Sequence, residues 1–171
     1  MSNKIENLSE SLEDYLEAIL DLEKKNKVAR IKDIADRLDF QRGSVTIAMR
    51  NLAEKKLINY EPYSFITLTD QGKKIAEEIT RRHAVIKDFL IKILQLEEES
   101  SDTLACRMEH AMDKKSIDRL VQFINFIDKC PKTGENWIKR FVKYCRNGMQ
   151  DVNTCKKCID KDLKKLMKNE K

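Results

Sequence analysis

The sequence predicts a mostly α-helical protein that opens with a winged helix-turn-helix and continues as an all-α domain. Apolar residues recur every three to four positions over most of the chain, which is the period of an amphipathic helix. The 171 residues include only 4 glycines and 2 prolines, so few turns interrupt long helices. One short stretch, residues 57–69, alternates apolar and polar residues as strands do, and it follows two short helices.

Composition narrows the class further. The chain is 41% hydrophobic and 37% charged, enough to bury a core divided among thin helical layers. It shows no signal peptide and no run of about 18 apolar residues, so we expect a cytoplasmic protein without a membrane span. Its 5 cysteines favour free thiols or metal ligands over disulfides. The net charge of +5 permits a nucleic-acid partner without requiring one.

The first predicted helix lies in SLEDYLEAILDLEKK. Ser11 stands three residues before Asp14, as in a capping box. Asp14 and Glu17 share the polar face. The opposite apolar face consists of Leu12, Tyr15, Leu16, Ile19, Leu20 and Leu22.

Two further short helices form a helix-turn-helix pattern. The first, RIKDIADRLDF, is predicted to bury Ile31, Ile34, Ala35 and Leu38. QRGS is the predicted turn around Gly43. Ser44 is the predicted cap of the second helix, SVTIAMRNLAEKK. The second helix of such a pair can enter the major groove of DNA. The side chains suited to bases or phosphates are Arg30, Gln41, Arg42, Ser44, Thr46 and Arg50. The alternative is an adapter fold that binds protein.

A β-wing and a long helix follow. LINYEPYSFITLTDQGKK predicts two short strands around Pro62 and Ser64, and the strand formers are Ile58, Tyr60, Phe65, Ile66 and Leu68. Thr69 is the predicted cap of a helix with His83 at its middle. LEEESSD then reads as an acidic linker.

The stretch LACRMEH brings metal-ligand chemistry together. On a helix, Cys106, Glu109 and His110 occupy positions i, i+3 and i+4 of one face. A thiol, a carboxylate and an imidazole there suit a metal ion, although chance pairing on a charged helix is the alternative.

The next helix, KKSIDRLVQFINFIDKC, is apolar on two sides. Ile117, Leu120, Val121 and Ile124 lie on one stripe, and Phe123 and Phe126 extend the apolar surface. A core helix is one interpretation; a homodimer interface formed by that stripe is the one we favour.

These ordered motifs resemble the iron- and manganese-dependent repressors typified by the diphtheria toxin repressor and the manganese transport regulator. The similar segments, within residues 10–128, are SLEDYLEAI, RIKDIADRL, GSVTIAMRNL, LINYEPYSFITLTDQGKKIA, RRHAVIKDFL, ACRMEH and SIDRLVQF. The resemblance implies a winged-helix DNA-binding domain over residues 1–75 and a helical metal-binding and dimerisation domain over 76–146. It implies a metal-activated homodimer that binds a double-stranded operator and represses metal-uptake genes, with no small-molecule substrate.

The resemblance also implies the ligand set. Cys106, Glu109 and His110 match the main ligand cluster, and Asp14 matches the ligand from the DNA-binding domain. Asp14 and Glu17 resemble the manganese-sensing pattern, whereas Cys106 stands where iron sensors carry cysteine. One thiolate among harder ligands favours Fe(II) over Mn(II).

A second site is also implied by the resemblance. His83 matches a second-site histidine, but Lys87 and Asp102 replace the carboxylate and histidine that iron sensors carry. The alternative is that His83 joins Glu17 in a two-metal arrangement. A metal ion between Asp14 and the CRMEH helix would fix the separation of two recognition helices.

Residues 147–171 form a tail rich in cysteine and lysine, and the chain beyond Cys130 is too short for the SH3-like domain of longer members. Cys130, Cys145, Cys155 and Cys158 could hold Zn(II) or an Fe-S cluster, with exposed thiols as the alternative.

Two other functions compete. In an enzyme, Cys106 would be a nucleophile and His110 its base, but no orienting group or oxyanion motif accompanies them. In a thiol-redox or metal-independent regulator, the cysteines would sense oxidant instead.

Overall fold

The computed structural model describes residues 8–61, 64–129 and 134–148, together with residues 156 and 160. The elements in chain order are α1 (Glu10–Asn26), α2 (Ile31–Leu38), α3 (Arg42–Glu54), β1 (Ile58–Asn59), β2 (Thr67–Leu68), α4 (Asp70–Lys92), α5 (Glu98–Glu109), α6 (Lys114–Lys129) and α7 (Gly134–Asn147). The predicted fold class, helical with a two-stranded wing, is confirmed.

The first three helices and the wing enclose one core. The α1 side chains Leu16, Ile19 and Leu20 pack with Ile34 of α2 and Met49 of α3, all at most 2% exposed. The predicted apolar faces of the first two helices are therefore confirmed. The helix α3 packs against this core through its buried side chains Val45, Met49 and Leu52, and its opposite face is exposed.

The helix ends differ from two sequence predictions. α1 begins at Glu10 after Ser9, so Ser11 lies within the first turn instead of capping it. α3 begins at Arg42 after Gln41, so Ser44 is not its cap. The left-handed backbone of the turn belongs to Asp39 (φ 54°), not to Gly43.

The wing is short and is tied to α1. β1 pairs antiparallel with β2 through Ile58 opposite Leu68 and Asn59 opposite Thr67. Of the other predicted strand formers, Ile66 makes an isolated bridge to Ala29, while Tyr60 and Phe65 lie outside the strands. The Leu68 N–H donates to Glu23 Oε1 at 2.8 Å, which fixes the base of the wing on α1.

Thr69 caps α4 as predicted, and Gly72 permits the close packing there. The Thr69 hydroxyl oxygen accepts a hydrogen bond from the Gly72 N–H at 3.1 Å. A Cβ at Gly72 would lie 1.9 Å from the Leu57 carbonyl oxygen. The start of α4 is thus held against the segment that follows α3.

α4 then joins the two halves of the chain. Its first part places Ile75, Ala76 and Ile79 in the N-terminal core. Its second part places Ile86 and Leu90 in a second cluster with Ala105 of α5 and Ile117 of α6. The predicted acidic linker is wrong in part, because α5 already begins at Glu98.

Candidate metal centre and nucleic-acid interface

Four of the predicted ligands meet between α1 and α5. Asp14, Cys106, Glu109 and His110 each place one ligand atom so that all four lie within 4.8 Å of one another. α5 ends at Glu109, but His110 keeps right-handed helical angles (φ −73°, ψ −26°) and so stays on the same face. The structure therefore brings together residues 96 positions apart, with an Asp14 Oδ1 to His110 Nε2 distance of 3.1 Å.

Glu109 is the centre of this cluster and is fully buried. Its Oε2 lies 2.8 Å from His83 Nδ1. Its Oε1 has no hydrogen-bond partner among the residues that the structure describes, and His110 Nε2 lies 3.6 Å from it. A buried carboxylate oxygen without a partner is unfavourable, and a bound cation would satisfy it. The donor set of oxygen, nitrogen and sulfur thus fits a divalent transition metal.

Glu13 orients the imidazole of His110. Its Oε2 lies 2.7 Å from His110 Nδ1, and both side chains are only 7% exposed. An Nδ1–H donated to Glu13 leaves Nε2 free to bind a metal ion, the arrangement typical of metal-ligating histidines. Burial lowers the pKa of His110, but the hydrogen bond to Glu13 and the charges of Asp14 and Glu109 together raise it.

The sequence analysis missed Glu13, although the sequence carries a signal for it. Glu13 lies three and seven residues before Leu16 and Leu20, in register with the buried face of α1. A carboxylate at such a position requires a buried partner.

His83 and Glu17 surround this cluster instead of completing it. Both of the His83 nitrogens face carboxylates. Nδ1 faces the carboxylate of Glu109, and Nε2 lies 3.3 Å from Oδ1 of Asp102. The hydrogen bond to Glu109 is the main cause that raises the pKa of His83 to about 9. Burial, with the nearby charge of Glu109, raises the pKa of Glu17. Glu17 and His83 line a cleft that adjoins the cluster on the side of Cys106.

The Cys106 side chain is exposed, but its thiol lies beside several carboxylates. Burial and the charges of Glu109 and Asp14 raise its pKa to about 11. At neutral pH it therefore lacks the thiolate character that a reactive cysteine needs. A metal ion would reverse this, because coordination displaces the thiol proton.

Four of the six predicted DNA-binding residues line a second cleft, between α3 and the wing. Its lining includes Arg30, Arg42, Thr46 and Arg50. The Arg30 guanidinium lies 5.1 Å above the Phe65 ring, which positions this cation at the wing. Gln41 and Ser44 are exposed at the start of α3, beside this cleft.

The predicted dimer-interface residues face the chain's own interior to different degrees. Ile117 is fully buried and Ile124 is 8% exposed, while Leu120 and Val121 are half-buried. Phe123 and Phe126, at 42% and 60% exposed, are the apolar side chains that α6 presents outward. The interface itself stays a prediction.

The structure does not describe three of the four residues of the predicted cysteine site, Cys130, Cys155 and Cys158. Cys145 lies exposed on α7. Among the helices that the structure describes, none combines the length and apolar character that a bilayer crossing requires.

Comparison with known proteins places both halves in one family. Residues 7–66 match the N-terminal DNA-binding domain of the iron-dependent repressors, and residues 69–138 match their metal-binding and dimerisation domain.

Individual relatives agree with these matches. An uncharacterised HTH-type transcriptional regulator of Methanocaldococcus jannaschii is 37% identical over 71% of this chain and 99% of its own length. The HTH-type transcriptional regulator MntR of Oceanobacillus iheyensis is 32% identical over 84% of this chain and 94% of its own. The solved structure of the manganese regulator SloR superposes with a TM-score of 0.61 at 26% identity.

The superposition with SloR covers 71% of this chain and 56% of the solved one, so the chain spans little more than half of that structure. The family consists of DNA-binding, dimerising transcriptional regulators and not of enzymes, which decides against the thiol-hydrolase alternative. With four residues that could hold a metal ion between its two matched domains, this chain belongs to the iron-dependent repressors, the metal-dependent transcriptional regulators that include MntR.

Proposed function

We propose that this protein is a metal-activated repressor of metal-uptake genes and that Fe(II) is its activating ion. The observation that carries the proposal is the unpaired, buried Glu109 oxygen in a cluster that joins the two matched domains. Asp14 belongs to the DNA-binding half, whereas Cys106, Glu109 and His110 belong to the other half. Neutralising this cluster would therefore strengthen the connection between the halves.

Without a cation, His110 joins the two halves at this cluster through its contacts with Glu13 and Asp14. Asp14, Glu109 and Glu17 are three neighbouring carboxylates, and the pKa of Glu17 is raised first by burial and then by repulsion from Glu109. A divalent ion supplies the positive charge that lets these groups approach. α1 would then be fixed against α5, and through the shared core so would the recognition helix α3. By linkage, tighter DNA binding on metal addition requires tighter metal binding on DNA.

The preference for Fe(II) rests on Cys106. A thiolate ligand favours Fe(II), Co(II), Ni(II) or Zn(II) over Mn(II), which prefers oxygen and nitrogen. The family description names iron, and the relative SloR is called a manganese regulator, so both ions are to be tested. Replacing Cys106 with Glu should make Mn(II) a better activator relative to Fe(II). An unchanged ratio of the two activation constants under anaerobic conditions would remove this support.

The decisive experiment measures DNA binding against free metal. Duplexes are selected from a random pool with the metal-loaded protein, and fluorescence anisotropy then follows their binding to metal-free protein titrated with Fe(II), Mn(II) or Zn(II). We expect wild-type affinity to rise at least tenfold and Glu109→Gln to show no rise. Glu99→Gln, an exposed change on the same helix, is the matched control. Equal DNA affinity with and without metal would refute the proposal.

A thiol-redox regulator is the competing function. The raised pKa of Cys106 opposes a sensing role for this thiol, since oxidant sensing needs a thiolate. DNA binding that responds to hydrogen peroxide but not to metal would favour it.

A further inference from the structure

Beside the metal centre, an ammonium group already neutralises the adjacent acidic cluster. The Lys87 Nζ lies 2.8 Å from Asp102 Oδ1 and 3.4 Å from Glu98 Oε1. The same Asp102 oxygen lies 3.3 Å from His83 Nε2, and His83 Nδ1 contacts Glu109. A continuous series of contacts therefore runs from Lys87 to the centre of the metal cluster.

We propose that Lys87 takes the place of a second cation, so that each subunit binds one metal ion and not two. This inference rests on the proposed function, since it concerns the same centre. The cleft beside the cluster holds ligand chemistry for another ion in Glu17, His83 and Asp102. Of these groups, His83 and Asp102 are already engaged within the chain.

Two contacts make the engagement specific. Asp102 Oδ1 accepts a hydrogen bond from Lys87 and faces His83, so a metal ion at this oxygen would have to displace both. The Lys87 side chain is 27% exposed and that of Asp102 is 57% exposed, so water screens this ion pair in part. A divalent ion bound by Asp102 would then lie close to a fixed positive charge, which opposes binding.

His83 follows as a positioning residue for the single ion. Its Nδ1 holds Glu109 Oε2, and the other carboxylate oxygen, Oε1, then lies 3.6 Å from His110 Nε2. Asp102 fixes the other side of the imidazole, and Lys87 fixes Asp102. Supporting contacts of this kind set the orientation of a metal ligand.

The test counts ions per subunit. Wild type, Lys87→Glu and Lys74→Glu are dialysed against Mn(II) or Co(II), and the metal-to-protein ratio is measured by plasma mass spectrometry. Lys74 is an exposed lysine on the same helix and receives the same change of charge. We expect a ratio of one for wild type and Lys74→Glu, and two for Lys87→Glu, which removes the ammonium and adds a carboxylate.

Each outcome decides something different. A ratio of two in wild type would overturn the inference, and so would a ratio of one in Lys87→Glu with native circular dichroism. If Lys87→Glu does not fold, Lys87→Met removes the same positive charge. We then expect Lys87→Met to show a second, weaker Mn(II) binding step that wild type does not show. A ratio of zero in wild type would instead refute the proposed function.

Discussion

Replacing Glu13 tests whether a residue that touches no metal ion controls metal affinity. Glu13→Gln keeps the shape and an oxygen that can accept from His110 Nδ1, but it removes the negative charge. Glu13→Ala removes the acceptor as well. Because Glu13 is 6% exposed and lies 2.7 Å from the imidazole, water cannot easily replace it.

The magnitude follows from the kind of contact. Removing a carboxylate that orients a metal-ligating histidine weakens binding by about 10- to 100-fold, roughly 1.4 to 2.8 kcal/mol. We expect Glu13→Gln near the lower limit and Glu13→Ala near the upper one, where Nδ1 is left unpaired.

Competition between the protein and a chelator for Co(II) measures this affinity. Glu10→Gln is the control, since Glu10 is exposed one turn earlier on α1. A His110→Gln background separates orientation from long-range charge: there, Glu13→Gln should have no further effect. Wild-type affinity in both Glu13 variants would refute the idea that Glu13 orients His110.

Three further predictions concern other parts of the molecule. Gly72→Ala should lower the free energy of unfolding by about 1–3 kcal/mol or more, because the new Cβ would meet the Leu57 carbonyl oxygen at 1.9 Å. Urea unfolding measures this loss, and Gly43→Ala is the control, since its Cβ would meet nothing within 4 Å in the described chain. The metal-free protein should lose stability as pH rises through about 9, because the pKa of His83 is raised from 6.5 to about 9. The protonated His83 stabilises the fold fully only below pH 6.5, and this contribution is lost above about 9. A His83→Gln variant with the same pH dependence of stability would contradict this. Ile47, 70% exposed on α3, is suited to contact a thymine methyl group. Replacing the contacted thymine of a selected duplex with deoxyuridine should weaken wild-type binding about fourfold, the value of one buried methyl, and should leave the binding of Ile47→Ala unchanged. Equal losses of affinity in both proteins would argue against the contact.

The helix-turn-helix, the wing and the main ligand cluster could be predicted because local signals specify them. Apolar periodicity identified the buried faces of α1 and α2, and Thr69 marked the start of α4. The spacing of Cys106, Glu109 and His110 placed three ligands on one face. Asp14 came from the family resemblance, since nothing local says that residues 96 positions apart will meet.

The remaining features depend on tertiary contacts. The sequence predicts a linker where the first turn of α5 lies. The reason is that the buried face of the whole helix consists of Ser101, Ala105 and Glu109, so the apolar periodicity that indicates a helix is missing. The engagement of His83 could not be predicted either, because it requires Asp102 and Glu109 to approach from another helix.

The continuity of α4 has a practical consequence for dividing this protein into parts. The matched DNA-binding domain ends at residue 66, before α4 begins. A fragment cut there would lack Ile75, Ala76 and Ile79 and would open the core that holds α3 in place. A separately expressed DNA-binding fragment must therefore extend at least through Ile79, more than two helical turns past the start of α4.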